Sequence, residues 1–419
     1  MKGTNLILAY LTVFVGGYLL FKLKFFFIVH PKRLITRLNV AIRNRDNRRS
    51  LSLALAGTLG VGNIYGVALG IIIGGEGSVF WLFISSIFSL VIKYSESTLA
   101  TYMSRDGNGM MSVFESNFKC KSVANLYAVM ICLLACTMGA FIQSDSFISS
   151  ATYIFNLPKN LIAAILLLIV ALVAFGGSEK IKNATEIIIP LATLAYILIS
   201  VIAISSNSHN IIPAIYRIFK SAMSGRSLFG GMVPVFNSVA FSEGFARGIL
   251  SNEAGVGTSS IAHSDGKRTP VTAGIFGMCE IVFDTLILCM LTAFLILTSI
   301  PSVADYSSPM RLIFDAVRIG TGEAFLPLLF ISIFFFAYST IICWYSYGRK
   351  ALAYLGEERL SLIFSFLFYF SIILASFLDS LIIIYINDFL IFLMSVPTLF
   401  SLIKGTEKIC SLTKNEGIL

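Results

Sequence analysis

Gly57-Thr58-Leu59-Gly60-Val61-Gly62-Asn63-Ile64-Tyr65-Gly66 interrupts an apolar block that runs from 51 to 74. Glycine at this density lets a helix break and lets another group approach the main chain. Inside a bilayer, unwound backbone is tolerated only where it lines a cavity or holds something, because every freed amide and carbonyl needs a partner. The device recurs in the block 230–262, as Ser251-Asn252-Glu253-Ala254-Gly255-Val256-Gly257-Thr258-Ser259-Ser260. Freed amides at a half-helix N-terminus attract an anion and freed carbonyls suit a cation, so one break can hold both.

The bilayer itself follows from composition. Of the 419 residues, 57% are hydrophobic and 13% charged, with a mean hydropathy of +0.86. The apolar residues fall in eleven blocks, near 4–29, 51–74, 78–103, 123–152, 160–176, 184–206, 230–262, 271–299, 325–348, 361–378 and 381–403. Each is long enough to cross a hydrocarbon core of about 30 Å as a helix. The first block lacks a basic leader beyond Lys2 and ends in Lys22 and Lys24, so it is expected to be a retained span rather than a signal peptide.

The net charge of +9 suits nucleic acid only until its distribution is traced. When the connections between blocks are assigned to alternate sides, most of the 31 Lys and Arg fall on one side, led by Lys32, Arg33, Arg37, Arg43, Arg45, Arg48 and Arg49. That bias predicts an external N-terminus, a cytoplasmic C-terminus and a basic 30–50 loop that meets anionic lipid. The expected location is the plasma (inner) membrane, multi-pass, with no nucleic-acid partner.

Five spans separate the two glycine breaks, so they run in opposite directions. Residues 51–206 and 230–403 then form two inverted five-helix repeats, with 4–29 as an additional N-terminal helix, within a single transmembrane domain spanning 1–419. Gly62, Gly66, Gly70 and Gly74 also make a small-residue seam; Gly66, Gly70 and Gly74 read as packing, Gly60 and Gly62 as site residues. The stretch from Ile211 to Met223 has the spacing of an interfacial amphipathic helix on the outer side.

The stretches GTLGVGNIYGVALGIIIGGEGSVFW, KYSESTLA, GGSEKIKNATEIIIPLATLAYI, ARGILSNEAGVGTSSIAH, FDTLILCMLTAFLIL and YSTIICWYSYG resemble, in order, those of the alanine or glycine:cation symporter family. The resemblance implies an all-α membrane protein of eleven transmembrane helices, with the leucine-transporter-type 5+5 inverted repeat and an extra first helix. It implies a secondary symporter that imports alanine or glycine with sodium by alternating access. Thr58, Gly60, Gly62 and Asn63, with Gln143 and Trp344 as walls, correspond to substrate-binding positions. Gly57, Val61, Ser339 and Thr340 correspond to a sodium site. The alternatives are a proton-coupled amino acid transporter of the same fold, or a non-transporting sensor or a channel. The resemblance lapses at Glu76, where relatives have Pro, at Ser144-Asp145 for Ala-Asn, at Cys343 for Gly and at Arg349 for Glu.

Glu96, Asp145, Glu243, Arg247, Glu253 and Asp284 fall in or near spans, where charge is paired or functional. Arg247 and Glu253 flank the second break and are expected to pair if it unwinds; structural pairing is also the expectation for Glu96. Asp145 stands out as a coupling or gating group for a cation or proton, alongside Arg247 and Glu253. Ser259, His263 and Asp265 have the letters of a hydrolytic triad without an elbow or oxyanion hole, and no phosphate loop is present, so an enzyme is not expected. The seven cysteines and three histidines show no disulfide or metal spacing. The expected partners are a small neutral amino acid, sodium and the bilayer, with no organic cofactor and no obligate protein partner.

Overall fold

The computed structural model describes residues 2–104, 107–174, 177–224, 233–236, 238–263, 268–356 and 359–419. Among the described residues the chain is all-helical. The elements used below are α1 (Lys2–Lys22), α2 (Pro31–Ala41), α3 (Arg45–Thr58), a π-helical turn (Gly62–Gly66) leading into α4 (Val67–Gly74), α5 (Gly77–Met103), α6 (Met110–Phe118) and α7 (Lys121–Phe155). They continue as α8 (Lys159–Ala174), α9 (Gly177–Ser206), α10 (Ile211–Ala222), α11 (Val239–Asn252), α12 (Ser259–His263) and α13 (Pro270–Ser299). The last are α14 (Pro309–Thr321), α15 (Leu326–Leu355), α16 (Leu360–Leu374) and α17 (Ser380–Asn415).

By length and apolarity, seven described helices can each cross a membrane, and Arg45–Thr58 with Gly62–Gly74 makes an eighth as a pair bent by 44°. Lys159–Leu172 and Leu360–Leu374 are shorter apolar helices. The first block ends earlier than its hydropathy suggests: α1 stops at Lys22 because Lys24 and Phe25 take positive φ (52° and 51°), turning the chain. Residues 175–176, 230–232 and Asp265 lie outside the described set.

α5 is the central mast, packed by α1, α11 and α13, while α15 lies on α3, α7 and α9. Without a strong hydrophobic drive inside lipid, close approach needs small residues. A Cβ on Gly244 would stand 2.5 Å from the Ser78 carbonyl, and one on Gly248 2.3 Å from Ser85 Oγ. Gly274 and Gly277 meet Thr98 and Ser97 in the same way from α13. Large apolar side chains that stay exposed, such as Leu168, Leu172, Leu194, Leu362 and Phe366, stand on α8, α9 and α16, the face a bilayer covers. The 211–223 stretch forms α10, and Glu76 gains a role: Arg217 on α10 donates to it at 3.0 Å, clamping that helix over the turn at Gly75–Gly77.

Candidate functional site

The first break is a real interruption. Leu59 (φ −76°, ψ 65°) makes an inverse γ-turn in which the Gly60 amide bonds the Thr58 carbonyl at 2.8 Å. The chain then re-enters through the π-helical turn Gly62–Gly66. Two more π-helical segments, Ala135–Ile142 within α7 and Val282–Cys289 within α13, occur among the described residues. Such bulges rotate side chains out of the regular face and gather at functional sites. Gln143 follows the first segment, and Asp284 lies in the second.

Gln143, expected as a polar substrate wall, acts on the backbone: Oε1 accepts from the Val61 amide at 2.9 Å, pinning the broken stretch. A Cβ on Gly60 would meet Thr340 Oγ1 at 2.8 Å and Gln143 Oε1 at 3.0 Å, so glycine is needed there for close approach. Gly57 is similarly crossed by Tyr347 Oη at 2.9 Å. Gly62 and Gly66 differ. Around a Cβ at Gly62 the nearest atom is Ser251 Cα at 4.0 Å, and at Gly66 nothing lies within 4 Å. Gly70 and Gly74 are packed against Arg247 and Glu243 as the seam predicted, whereas Gly66 faces space instead of a helix.

The expected cation residues divide. Thr340 reaches from α15 to the Ala56 carbonyl at 2.9 Å, bonding across to the end of α3. Ser339 bonds the Phe336 carbonyl of its own helix at 3.1 Å. Thr58 likewise turns back to the Ala54 carbonyl at 3.2 Å, and the Val61 carbonyl is taken by the Tyr65 amide at 2.7 Å. Trp344 is fully buried against Gly139 and edge-on to Tyr347, one turn beyond Thr340.

Asn63 leads to a cluster that sequence reading left unassembled. Ser251 Oγ, at the end of α11, lies 2.6 Å from Asn63 Oδ1 and 2.8 Å from Asp284 Oδ2. Its single proton serves one of these, leaving more oxygen acceptors than protons. Thr285 Oγ1 donates to Asp284 Oδ2 at 2.8 Å and receives Asn252 Nδ2 at 3.0 Å. Asp284 Oδ1 and Asn63 Nδ2 are buried with no hydrogen-bond partner. An acceptor of formal negative charge and an amide donor, each without a well-formed hydrogen bond, thus lie on either side of Ser251, next to Gly62, where a Cβ would have Ser251 Cα at 4.0 Å. Asp284 was visible as a buried charge, and the polar letters of Ser251 and Asn252 stand directly before the second break; their convergence needed the fold.

Asp145 is elsewhere. It lies two residues after Gln143, about 200° around the helix, and lines a cleft of about 550 Å³ with Tyr65, Ser149, Lys159, Asp379 and Ser380. Tyr65 Oη and Ser380 Oγ, 3.0 Å apart, close this cleft against the π-helical turn.

The pairing expected between Arg247 and Glu253 is not formed. Arg247 binds Asp388 of α17 at 2.5 Å and Glu243 at 3.4 Å. Six residues place Glu253 about 240° around the helix from Arg247, whereas the four-residue step to Glu243 keeps both on one face. Glu253 takes a positive φ of 54°, ends α11 and accepts from Thr258. Glu96 Oε2 accepts the Gly255 amide at 2.9 Å, and its Oε1 is buried without a partner. Ser259 and His263 both bond Glu280, not each other, so no triad assembles from them. All seven cysteines are free.

The profile of the sodium:alanine symporter family matches residues 2–415. The chain belongs to the sodium:alanine symporter family. It is therefore a multi-pass membrane protein of a transporter family rather than an enzyme family. The sodium/alanine symporter AgcS of Methanococcus maripaludis is 30% identical over 326 residues, 73% of this chain and 70% of that protein. A putative sodium/proton-dependent alanine carrier protein, YrbD of Bacillus subtilis, is 32% identical over 333 residues, 74% and 67% of the two chains. In fold, the symporter-family chain is similar to MhsT, solved in complex with L-phenylalanine, with a TM-score of 0.57 at 15% identity over 87% of this chain and 88% of that one.

Proposed function

We propose that this chain is a secondary symporter that imports a small neutral amino acid, alanine or glycine, coupled to sodium by alternating access. It does so as eleven spans in two inverted five-helix repeats, 51–206 and 230–403, plus the helix 4–29, with the N-terminus outside and the C-terminus in the cytoplasm of the plasma (inner) membrane. The observation that carries the reading is that Asp284 Oδ1 and Asn63 Nδ2 are both buried without a well-formed hydrogen bond, beside Gly62, which has room for a Cβ. A zwitterion and a hard cation present what this pair lacks: positive charge for the carboxylate and anionic oxygen for the amide donor. Asn63 Oδ1, Ser251 Oγ and Asp284 form an oxygen-only donor group, and Thr340 with the end of α3 forms a second. The names of AgcS and YrbD support alanine and sodium. Gly60, Gly62 and Gln143 are assigned to the substrate side, Gly57, Val61 and Ser339 to the cation side, and Trp344 to the far wall that limits side-chain size.

The test is uptake of radiolabelled alanine and glycine into proteoliposomes with an inward sodium gradient. Accumulation above background that disappears when choline replaces sodium is expected. Absence of uptake of either amino acid under sodium and under a proton gradient would end the proposal.

A further inference from the structure

The two breaks are not chemically alike. At the first, a Cβ fits at Gly62 and Gly66; at the second, side chains close in on Gly255 and Gly257, while Glu96 Oε1 and Glu253 Oε1 are buried without a partner. Tyr127 Oη donates to the Val256 carbonyl at 2.8 Å, Glu96 accepts the Gly255 amide at 2.9 Å, and Asn252 Oδ1 accepts the Ala254 amide at 3.0 Å. One further bond is unusual in kind. Lys93 Nζ, on α5, donates at 2.8 Å to the carbonyl of Asn252, the last residue of α11. A helix's terminal carbonyls lack intrahelical partners and carry the negative end of its dipole, which favours a cation there. In this half-helix that cation is covalently attached to a neighbouring span.

The surroundings are consistent with a fixed charge. Lys93 and Glu280 are both fully buried, with Nζ 3.6 Å from Glu280 Oε2. Glu280 on α13 also accepts from Ser259 at 2.7 Å and bonds His263 Nε2 at 2.6 Å. Glu96 lies one turn along α5, Glu253 follows Asn252, and Asp284 lies one turn beyond Glu280, so four buried carboxylates surround one ammonium. Such a concentration of acid in a span is tolerated only with positive charge held among it.

We propose that Lys93 is a tethered cation: its ammonium permanently fills the cation position at the C-terminal end of α11 and locks the second break. The coupling ion is thereby confined to the first break, a consequence that rests on the symporter reading above. Lys93 is a positioning residue and touches no substrate.

The test uses Lys93→Ala in the full chain and n-propylammonium, which replaces the atoms removed. Millimolar n-propylammonium should raise the melting temperature of purified Lys93→Ala and leave the unsubstituted chain unmoved, while n-propanol does neither. If Lys93→Ala cannot be recovered from membranes, recovery during expression and purification in the amine, but not in the alcohol, supports the proposal. In proteoliposomes, Lys93→Ala should need about tenfold more sodium for half-maximal uptake, with the amine restoring the original sodium dependence. Equal effects of amine and alcohol, no rescue by either, or an unchanged melting temperature in Lys93→Ala would overturn it. Failure of the unsubstituted chain to take up amino acid with sodium would remove the symporter reading alone, since the melting arm needs no transport.

Discussion

Arg247 serves two carboxylates, and that stoichiometry makes a sharp prediction about which substitution hurts most. Its guanidinium is 2% exposed, with Asp388 (4%) at 2.5 Å and Glu243 (10%) at 3.4 Å; Asn5 Nδ2 of α1 donates to Asp388 at 3.1 Å. Asp388→Asn leaves a balanced Arg247–Glu243 pair and loses one charge-assisted hydrogen bond, about 1.5–3 kcal/mol. Arg247→Met leaves two buried carboxylates facing each other without a cation, about 3–5 kcal/mol or more. The double variant Arg247→Met with Asp388→Asn removes half of that acid and is expected to be more stable than Arg247→Met alone. The asymmetry is therefore both in rank and in coupling. Unfolding of the purified chain in mixed micelles, titrated with sodium dodecyl sulfate, gives the four free energies of the cycle. If Arg247→Met costs no more than Asp388→Asn, or if the double variant costs the sum of the two, the three-group reading of this cluster is wrong.

The remaining predictions concern the broken stretch and its surroundings. Gly62→Ala has room for its methyl, with Ser251 Cα 4.0 Å away, so the melting temperature should hold or rise slightly while uptake drops because the methyl enters the space assigned to substrate; unaltered uptake would place the substrate elsewhere. Asp284→Asn keeps the bonds to Ser251 and Thr285 nearly isosteric but removes the charge, and should raise the sodium concentration for half-maximal uptake by about tenfold or more. Asp145→Asn, which alters the cleft lined by Tyr65 and Ser380 and not the break, should leave sodium-driven uptake intact. Loss of pH-driven uptake in that variant, with no sodium dependence in the unsubstituted chain, would instead favour proton coupling.

Glycine spacing announced both breaks, because interrupted helices in lipid require residues that free and expose backbone. Hydropathy located the helices well but misjudged their ends: α1 stops where Lys24 and Phe25 turn left-handed, a backbone event that an apolar average cannot register. Side-chain partnerships were the least legible. Asp388 lies 141 residues from Arg247 and 383 from Asn5, and only the packing of α1, α11 and α17 brings the three together. Glu280 and Asp284 did carry a local signal, a four-residue step that puts two carboxylates on one helix face, and that step marks α13 as polar toward the second break. Gln143 was expected as a substrate wall, and its bond to the Val61 amide is a backbone partnership that sequence could not supply.

An inverted repeat invites the assumption that both breaks do the same work, and the residues around them argue otherwise. At the second break Gly255 and Gly257 hold φ of 80° and 97°, and Cβ atoms there would meet Leu399 at 3.0 Å and Tyr127 Oη at 2.2 Å, so the glycines exist to let protein close in. At the first, Gly62 and Gly66 have negative φ, with Ser251 Cα at 4.0 Å from a Cβ on Gly62 and nothing within 4 Å at Gly66, so the fold admits a Cβ at both. A glycine with neither a packing nor a backbone need fits the proposal that the occupant there is not part of the chain. The second break meets the first through Ser251, whose hydroxyl stands between Asn63 and Asp284. A half-helix closed in by protein on one side and a turn with room beside it on the other fit the proposed coupled carrier, because only a turn that changes its contacts on binding can make movement conditional on both ligands.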